Sequence, residues 1–282
     1  MNSPKLDRRK FIGWSAGAAV AMSSFPAFAY KPDLSAFSSF GLQLYTVRDQ
    51  MAKDVAGTLK QIASFGYKEV EFAGYFDVAP AEIKKILVGE GLIGRSAHFS
   101  LEAFRDDMEK ALDTAAEIGH EHVDLPYLQA HQRKSMDDYR WLADLLNEVG
   151  VAANKRGIRF GYHNHEFEFE KFDGEMPYDL LLDRVSRKNM QFTMDLYWMA
   201  AAKQDPIEWF KNHPGRFEQC HIKDMNSEGT MVTLGDGQLD FAKYLSKADI
   251  AGLKHCYVEH DNPVDSLESA RRGAIFMQKL TS

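Results

Sequence analysis

The sequence predicts a single (β/α)8 barrel, or TIM barrel, and three observations lead to this prediction. The chain has 282 residues, enough for such a barrel, which usually takes about 250. Between residues 40 and 280, short apolar runs typical of strands alternate eight times with amphipathic segments typical of helices. Several strand-like runs end in histidine, aspartate or glutamate. Such alternation favours a parallel sheet with right-handed crossovers, and eight units close into a barrel.

An open, doubly wound sheet is the alternative architecture. It is disfavoured because side chains from four successive strands converge most easily at the mouth of a barrel. The composition does not shift along the chain in a way that would divide it into domains.

The N-terminal segment is predicted to be a signal peptide. Basic residues at 8–10 precede an apolar run at 11–22, and Ala-Phe-Ala at 27–29 matches an A-x-A cleavage pattern. The adjacent arginines resemble those of a twin-arginine signal. A membrane anchor is the alternative, but the run is too short and too rich in small residues to span about 30 Å.

We therefore assign residues 1–29 to a twin-arginine-type signal peptide and residues 30–282 to the barrel. The mature protein is expected to be periplasmic or secreted, with no membrane segment after cleavage. A homo-oligomer is compatible with the sequence.

The first half of the chain contains four predicted strand–helix units. Apolar residues at 55, 59, 62 and 65 form a helical stripe that stops at Gly66, and Pro80 suits the first turn of the next helix. A long helix stops at Gly119, and Pro126 closes the fourth strand. The predicted strands are residues 40–45, 68–72, 93–98 and 121–125, and the helices are residues 54–65, 81–88, 101–118 and 136–156.

The second half repeats the design. Gly157 ends the fourth helix, and Asp205 followed by Pro206 is an N-cap with a first-turn proline. Residues 225–240 form a long loop that contains glycine. The predicted strands are residues 158–169, 190–195, 217–223 and 254–259, and the helices are residues 178–185, 206–212, 241–248 and 263–280.

Titratable side chains collect at the C-terminal ends of the strands, where a TIM barrel has its active site. So many imidazoles and carboxylates would repel one another unless some were protonated or a cation lay among them. A mixed nitrogen and oxygen donor set suits one Mn²⁺, Co²⁺, Zn²⁺ or Fe²⁺ ion better than Ca²⁺. These side chains are Glu71, His98, His163, His165, Glu166, Glu168, Asp195, His221, Lys223, Glu259 and Asp261.

Other residues have structural or secondary roles in this interpretation. Cys220 and Cys256 are expected to be buried free thiols beneath the helices, and a disulfide between them is disfavoured. Arg48, just after the first strand, is either a salt-bridge partner or a substrate contact. The formal net charge of −7 and the lack of a long basic run argue against nucleic acid as a partner.

These stretches resemble the xylose-isomerase-like TIM barrels that include sugar phosphate isomerases and epimerases. The resemblance covers residues 40–280. The matching motifs are Gly-Leu-Gln-Leu-Tyr-Thr-Val-Arg-Asp at 41–49, Glu-Val-Glu-Phe-Ala-Gly at 69–74, Tyr-His-Asn-His-Glu-Phe-Glu-Phe at 162–169, Met-Asp at 194–195, His-Ile-Lys-Asp at 221–224, Gly-Asp-Gly at 235–237 and Val-Glu at 258–259.

The resemblance implies one divalent metal ion held by residues from strands five to eight. Asp195, His221 and Glu259 match three of the four ligand positions. At the fourth, many relatives have Glu-Asn-His where this chain has His-Asn-His at 163–165, so the ligand is His163 or Glu168, of which we favour Glu168. Endonuclease IV, a relative with three zinc ions, is disfavoured because Asp195 is not followed by its Asp-x-x-His pattern.

The resemblance further implies a metal-dependent sugar isomerase or epimerase that removes a proton next to a carbonyl through an enediolate, and the predicted signal peptide makes it an exported one. The candidate bases are Glu259 and either His163 or His165, and Lys223 is placed to neutralise the oxyanion. The alternatives are a keto-sugar lyase or dehydratase on the same barrel, and a non-catalytic carbohydrate-binding barrel.

The expected partner is a small sugar or keto-sugar. His98, Glu71 and Arg48 are the candidate substrate contacts. An unphosphorylated sugar is favoured, because an exported enzyme seldom meets sugar phosphates.

Overall fold

The computed structural model describes residues 32–282. Its eight long-range parallel strands close into a barrel, with each strand paired to its neighbour along the chain and the last strand paired to the first. The predicted (β/α)8 barrel is therefore confirmed. The predicted signal peptide, residues 1–29, lies outside the described residues. The barrel strands are β1 (Gly41–Gln43), β2 (Glu69–Phe72), β3 (Ile93–His98), β4 (His122–Leu125), β5 (Arg159–His163), β6 (Gln191–Asp195), β7 (Phe217–Ile222) and β10 (His255–Val258). A short antiparallel hairpin after the seventh barrel strand consists of β8 (Asp224–Met225) and β9 (Met231–Val232).

Helices surround the barrel, and side-chain caps begin most of the long ones. Asp54, Ser100, Ser135 and Asp265 each accept a hydrogen bond from a backbone amide of the first turn that follows. The helices are α1 (Arg48–Met51), α2 (Val55–Phe65), α3 (Pro80–Glu90), α4 (Leu101–Ile118), α5 (Met136–Lys155), α6 (Pro177–Arg184), α7 (Leu196–Ala201), α8 (Pro206–Asn212), α9 (Phe241–Leu245), α10 (Ala248–Ala251) and α11 (Ser266–Thr281). Among the described residues, no helix is long and apolar enough to cross a membrane.

The fifth strand and the segment after the sixth differ from the sequence prediction. β5 ends at His163, where its pairing with β6 ends, and the chain then enters a 3-10 turn at Phe167–Phe169. The predicted fifth strand is therefore shorter than residues 158–169, and the Phe-Glu run at its end leaves the strand, which is the alternative that the sequence left open. Helix α7 was not predicted; Asp195 caps it by accepting hydrogen bonds from the backbone amides of Tyr197 and Trp198.

The outward faces of the strands supply the hydrophobic core, which lies between barrel and helices. Val70, Phe72, Val123 and Leu125 are fully buried there, and each such side chain contributes roughly 1.5–3 kcal/mol through removal of apolar surface from water. Cys220 and Cys256 lie side by side in β7 and β10 on this face. Both are buried and free, as predicted.

The inward faces are polar along the whole length of the barrel. At the N-terminal end Arg95 pairs with Glu69 at 2.8 Å and Glu69 also accepts from His255 at 3.0 Å. Above them, the Asp124 carboxylate accepts hydrogen bonds from Thr193 and Gln219. The third layer, at the C-terminal ends of the strands, contains the candidate site.

Glycine makes room for the middle layer. A Cβ atom at Gly161 would lie 2.0 Å from Asp124 Oδ1, so a larger residue in β5 would displace this carboxylate. Burial, more than any neighbouring charge, raises the pKa of Asp124 to about 6. The polar core of the barrel thus depends on one strand that carries no side chain at this level.

Candidate metal centre

Four side chains converge at the barrel mouth. His163, Asp195, His221 and Glu259 each offer one donor atom, and these four atoms lie within 4.8 Å of one another. They come from the ends of four adjacent strands, and all four residues are buried. The structure thus brings together Asp195, His221 and Glu259, as the sequence suggested, with an imidazole as the fourth member.

Asp195 has two tasks in this cluster. Its Oδ1 caps α7, while its Oδ2 accepts from His163 Nε2 at 3.0 Å. The cap fixes the rotation of the carboxylate, and Oδ2 therefore points at the mouth. The capping of α7 therefore fixes the position of Asp195 Oδ2, one of the candidate ligand atoms.

Lys223 provides the positive charge of the cluster. Its Nζ lies 3.0 Å from Asp195 Oδ2, 2.8 Å from Glu259 Oε2 and 2.8 Å from Asp261 Oδ1. Burial would lower the pKa of Lys223, but these three carboxylates outweigh it and raise that pKa well above its usual range. Lys223 is therefore a buried ammonium at neutral pH.

His221 lies between two carboxylates. Its Nδ1 donates to Glu259 Oε2 at 2.7 Å, and its Nε2 is 2.6 Å from Glu71 Oε2. Burial opposes protonation, yet Glu71 and Glu259 together raise the pKa of His221 well above its usual value. The ring orientation is thus set from both sides, as expected for a ligating histidine with an outer-shell carboxylate.

Glu71 joins His221 to His98 on the opposite side of the mouth. His98 Nε2 lies 3.0 Å from Glu71 Oε2, and the Gln43 amide donates to the same oxygen at 3.0 Å. Glu71 is fully buried behind His98 and His221 and does not line the cavity, and its role as a substrate contact stays a prediction. His98 does line the cavity.

Glu168 is not part of the cluster. Its Oε1 accepts from the Tyr162 hydroxyl at 2.5 Å, and its Oε2 accepts from the backbone amide of His165 at 2.7 Å. It is fully buried and lies on the face opposite to His163, since the strand ends before Glu168 can turn inward. The structure places His163, and not Glu168, beside Asp195, His221 and Glu259, and the identity of the fourth ligand stays a prediction.

Arg48 is held at the rim and does not line the cavity. Its Nη1 donates to the carbonyl oxygens of Tyr45 and Asp261, each at 2.8 Å, and its guanidinium stacks 4.1 Å from the centre of the Tyr45 ring. These contacts anchor the loop that carries Asp261 to the segment after β1, and a substrate contact by Arg48 stays a prediction.

A cavity of about 630 Å³ opens above the cluster. His98, His163, Lys223 and Glu259 form its floor. Its walls include two segments that the sequence analysis did not assign to the site, the loop after β4 and the start of α7. The wall residues are Tyr45, Ala73, Ser100, Glu102, Pro126, Tyr127, Gln129, Gln132, His165, Glu166, Trp198, Asp261 and Asn262.

The four donors fit a divalent transition-metal ion. Two imidazoles and two carboxylates match the preference of Zn²⁺, Co²⁺, Mn²⁺ and Fe²⁺ for mixed donors. In addition, His163 Nδ1 is buried without a hydrogen-bond partner among the described residues, which costs free energy in the absence of a ligand. His163, Asp195, His221 and Glu259 are the residues that would hold such an ion.

A family model for the xylose isomerase-like TIM barrel matches residues 59–280. The chain belongs to this family. The match covers most of the barrel, including every strand from β2 to β10, and the family relationship agrees with the resemblance seen in the sequence.

Proteins similar to this chain carry the names of different enzymes. Inosose dehydratases from Clostridium perfringens and Clostridium botulinum are each 22% identical to this chain, over 60% and 79% of it; the match spans 66% of the first enzyme, just under two thirds of its length, and 89% of the second. A sugar phosphate isomerase/epimerase from Parabacteroides distasonis has a TM-score of 0.74 and 27% identity, with 92% of this chain and 97% of that chain covered.

A further structural neighbour, the IolI protein with a bound zinc atom, has a TM-score of 0.70 at 15% identity and covers 86% of this chain and 98% of that one. At that identity the likeness extends to the fold alone. Family membership thus makes this chain a barrel of the kind that includes isomerases, epimerases and dehydratases.

The site contains residues that the sequence analysis missed. Gln43, Tyr127 and Trp198 contact or border the site. Gln43 had a readable signal, because it is a polar residue at the inward position of an otherwise apolar first strand. Tyr127 lies in the loop after β4 and Trp198 in the unpredicted helix α7, so the sequence did not indicate the direction of either side chain.

Proposed function

We propose that the protein is a divalent-metal-dependent sugar or keto-sugar isomerase or epimerase that removes a proton from the carbon next to a carbonyl. The observation that carries this proposal is the convergence of His163, Asp195, His221 and Glu259 beside Lys223, beneath an open cavity. Bound there, a divalent ion would polarise the carbonyl and an adjacent hydroxyl and so acidify the C–H bond.

His165 is the candidate base. It lines the cavity. Its ring packs against His163, a member of the cluster, and against Tyr127 and Trp198. Burial, assisted by His163 and Lys223, lowers the pKa of His165 well below its usual value. A neutral imidazole is able to accept a proton at neutral pH.

Glu259 suits a ligand better than a base. Its burial favours the neutral form, but Lys223 and His221 outweigh it and lower the pKa of Glu259. A carboxylate held so firmly in its ionised form accepts a proton poorly. Lys223, 2.8 Å from Glu259 and facing the cavity, is placed to stabilise negative charge on a substrate oxygen.

A dehydratase is the second candidate, and two observations favour it. The curated relatives are named inosose dehydratases, and His163 stands where many relatives resembling this chain have the glutamate of a Glu-Asn-His motif, so that carboxylate is lacking for proton transfer. The first step would be the same proton removal; the C–O bond to a β-hydroxyl would then break, with that oxygen leaving as water. His98, on the cavity floor beside Glu71, is placed to protonate it.

The test is metal analysis followed by incubation with keto- and aldo-sugars in deuterium oxide. We expect about one divalent ion per chain and deuterium at a single carbon next to the carbonyl. Recovery of an isomer or epimer supports the first candidate, and loss of one water supports the second. A metal-loaded protein that binds sugars without deuterium uptake would instead be a carbohydrate-binding barrel.

We also propose that the protein is exported. The paired arginines at residues 8 and 9, the apolar run and the A-x-A pattern support this proposal. Twin-arginine export carries folded proteins, and a metal centre buried in a closed barrel is consistent with loading before export.

A further inference from the structure

Among residues 32–282, no lysine or arginine without carboxylate partners lines the cavity. Within residues 32–282, Lys223 is the one lysine or arginine that lines it, and three carboxylates at 3.0 Å or less already surround its ammonium. Glu102 and Glu166 add negative charge to the walls. A phosphate dianion against these walls, away from the metal cluster, would face carboxylates without a free side-chain counter-charge, which weakens its binding in a site partly shielded from water.

Two arginines that contact residues of the cavity wall or its surroundings, Arg48 and Arg133, are also engaged. Arg48 is bound to two backbone carbonyl groups and to the Tyr45 ring. Arg133 lies 3.6 Å from the centre of the Phe167 ring and donates Nε to the Leu128 carbonyl at 3.0 Å. Neither side chain lines the cavity, so neither forms the bidentate clamp by which arginine recognises phosphate.

The helix start that borders the cavity is occupied as well. Ser100 caps α4 by accepting from the amide of Ala103 at 3.3 Å, and Glu102 in the first turn supplies the negative charge that a helix N-terminus favours. A substrate phosphate would have to displace this carboxylate. The N-terminus of α4 is therefore already balanced by a carboxylate of the chain and is not free to bind a substrate phosphate.

The outer wall of the cavity contains an exposed aromatic ring with amide and carboxylate groups beside it. Tyr127 is 40% exposed, and its ring is braced edge-on against His165 and Phe167, with centres 4.9 and 5.5 Å apart. Beside it, the side-chain amide of Gln132 donates to Glu102 at 2.6 Å. The side-chain oxygen of Gln132 accepts from the backbone amide of Gln129 at 2.7 Å. A fixed aromatic face next to carboxylate and amide groups suits the apolar face and hydroxyls of a sugar ring.

The volume of the cavity exceeds what the metal cluster and one ring would need. About 630 Å³ is in the middle of the range for sites that enclose drug-sized ligands, which have roughly as many atoms as two linked sugar rings. We propose that the site takes an uncharged, unphosphorylated keto-sugar extended by a second ring, which stacks on Tyr127. This inference rests on the proposed function for the position of the reacting carbonyl.

Three ketoses that differ at one oxygen test the inference. D-fructose, D-fructose 6-phosphate and 6-O-α-D-glucopyranosyl-D-fructose share the reacting carbonyl and carry hydrogen, phosphate or a sugar ring at the same position. Calorimetry with the metal-loaded protein should give the tightest binding for the glucosyl compound and the weakest for the phosphate, about tenfold apart on each side of fructose. A phosphate that binds as tightly as fructose, or a glucosyl group that adds no affinity, overturns the inference.

Deuterium uptake by the same three compounds separates this inference from the proposed function. Uptake with the opposite order of affinity leaves the function standing and sinks the inference. The expected order of affinity without uptake from any of the three supports the two-ring site and counts against the reaction. Failure of all three to bind counts against both.

Two variants with matched controls locate the effect. Tyr127→Ala should weaken binding of the glucosyl compound about tenfold and by more than that of fructose, and Tyr127→Phe should restore it; Trp141→Ala, an exposed aromatic on α5, is the control. Glu102→Gln should narrow the gap between fructose and its phosphate, whereas Glu148→Gln, on the exposed face of α5, should leave it unchanged. Equal effects of Tyr127→Ala on both sugars would place no second ring there.

Discussion

His163 adds a neutral donor to a cluster whose other members carry most of the charge. Its Nε2 lies 3.0 Å from Asp195 Oδ2, whereas Glu168 binds Tyr162 and the His165 amide on the other face of the chain. We expect His163→Gln to weaken metal affinity by more than about 100-fold, beyond the usual effect of an outer-shell residue. Titration of the apoprotein with Zn²⁺ against a chelator of known affinity measures this change.

Glu168→Gln is the matched variant, since it makes the same type of change on the same segment. A glutamine can donate to the Tyr162 oxygen and accept from the His165 amide, so the segment should keep its shape and the metal affinity should stay within about threefold of wild type. Loss of metal in Glu168→Gln with retention in His163→Gln would reverse the assignment.

Glu168 should also make stability depend on pH. Burial, opposed by hydrogen bonds from Tyr162 and the His165 amide, raises the pKa of Glu168 to about 8. The folded chain therefore keeps a proton that the unfolded chain releases near its ordinary pKa of about 4.3, and stability falls as pH rises through the folded pKa. Between pH 6.5 and 8 the loss should be about 1.5 kcal/mol.

Urea unfolding of apoprotein at these two pH values measures the effect, with Glu168→Gln as the reference. Between pH 6.5 and 8, the free energy of unfolding of Glu168→Gln should fall by about 1.5 kcal/mol less than that of the wild type. The range above pH 6.5 is chosen because His120 and His122, whose pKa values burial lowers to about 4, contribute the opposite slope at lower pH. Parallel curves for the two proteins would mean that Glu168 is ionised in the folded state.

Single residues were predictable where one strand position settles the direction of a side chain. Asp195 and His221 lie at the ends of β6 and β7, Glu259 directly follows β10, and period-two alternation points them inward. His163 and Glu168 were ambiguous because the end of β5 is set by its pairing with β6, and because a buried hydroxyl on Tyr162 attracts the carboxylate. Both causes involve partners that are distant or unreadable in the local sequence.

Asp224 organises the loop that follows β7. Its carboxylate accepts from the backbone amides of Met225, Gly235, Gly237 and Leu239 at 2.9–3.3 Å. Asp224→Ala would leave these amides without their acceptor, and we expect a loss of about 2 kcal/mol or more. Faster hydrogen exchange should be confined to residues 225–240, as measured by mass spectrometry.

Asp240→Ala is the control for that loop, because Asp240 caps α9 through the amide of Lys243 and does not hold the hairpin. It should lower stability by about 1 kcal/mol without raising exchange at residues 225–235. Equal exchange in both variants would show that the loop is stable without Asp224.

Most element positions were predicted because glycine, proline and capping residues mark their ends. β3 and α4 match the predicted bounds, and α2 differs by one residue. Helix α7 was missed because it begins at a metal-site residue, Asp195, which the sequence analysis treated only as a ligand. The β8–β9 hairpin was missed because its two-residue strands depend on Asp224.

At the level of the whole chain, export is open to direct test. Arg8→Lys with Arg9→Lys keeps the charge but removes the guanidinium pair, so we expect the full-length precursor to accumulate in the cytoplasm. Immunoblotting of cell fractions measures its size and location. Arg105→Lys, an exposed barrel arginine that pairs with Asp106, is the control and should be exported normally; continued cleavage after Ala29 in the signal variant would exclude the twin-arginine route.

The overall fold was predictable from alternation and length, because eight strand–helix units of this size have few ways to bury their apolar faces. The shape of the cavity was not. It depends on the loop that carries Tyr127, on the start of α7 and on the side chains that meet across the barrel, and these contacts join residues far apart in the sequence.

The contrast between the two faces of each strand separates the mutations that endanger folding from those that alter chemistry. Val70, Phe72 and Leu125 face the helices, whereas Glu71 and Asp124, their immediate neighbours, face the barrel axis. Saturation mutagenesis scored for abundance should therefore show a two-residue rhythm along every barrel strand, and a screen for activity should show the complementary rhythm. In such a barrel, substitutions of residues that face the axis can change the substrate, while the residues that pack between strands and helices stay the same and keep the fold stable.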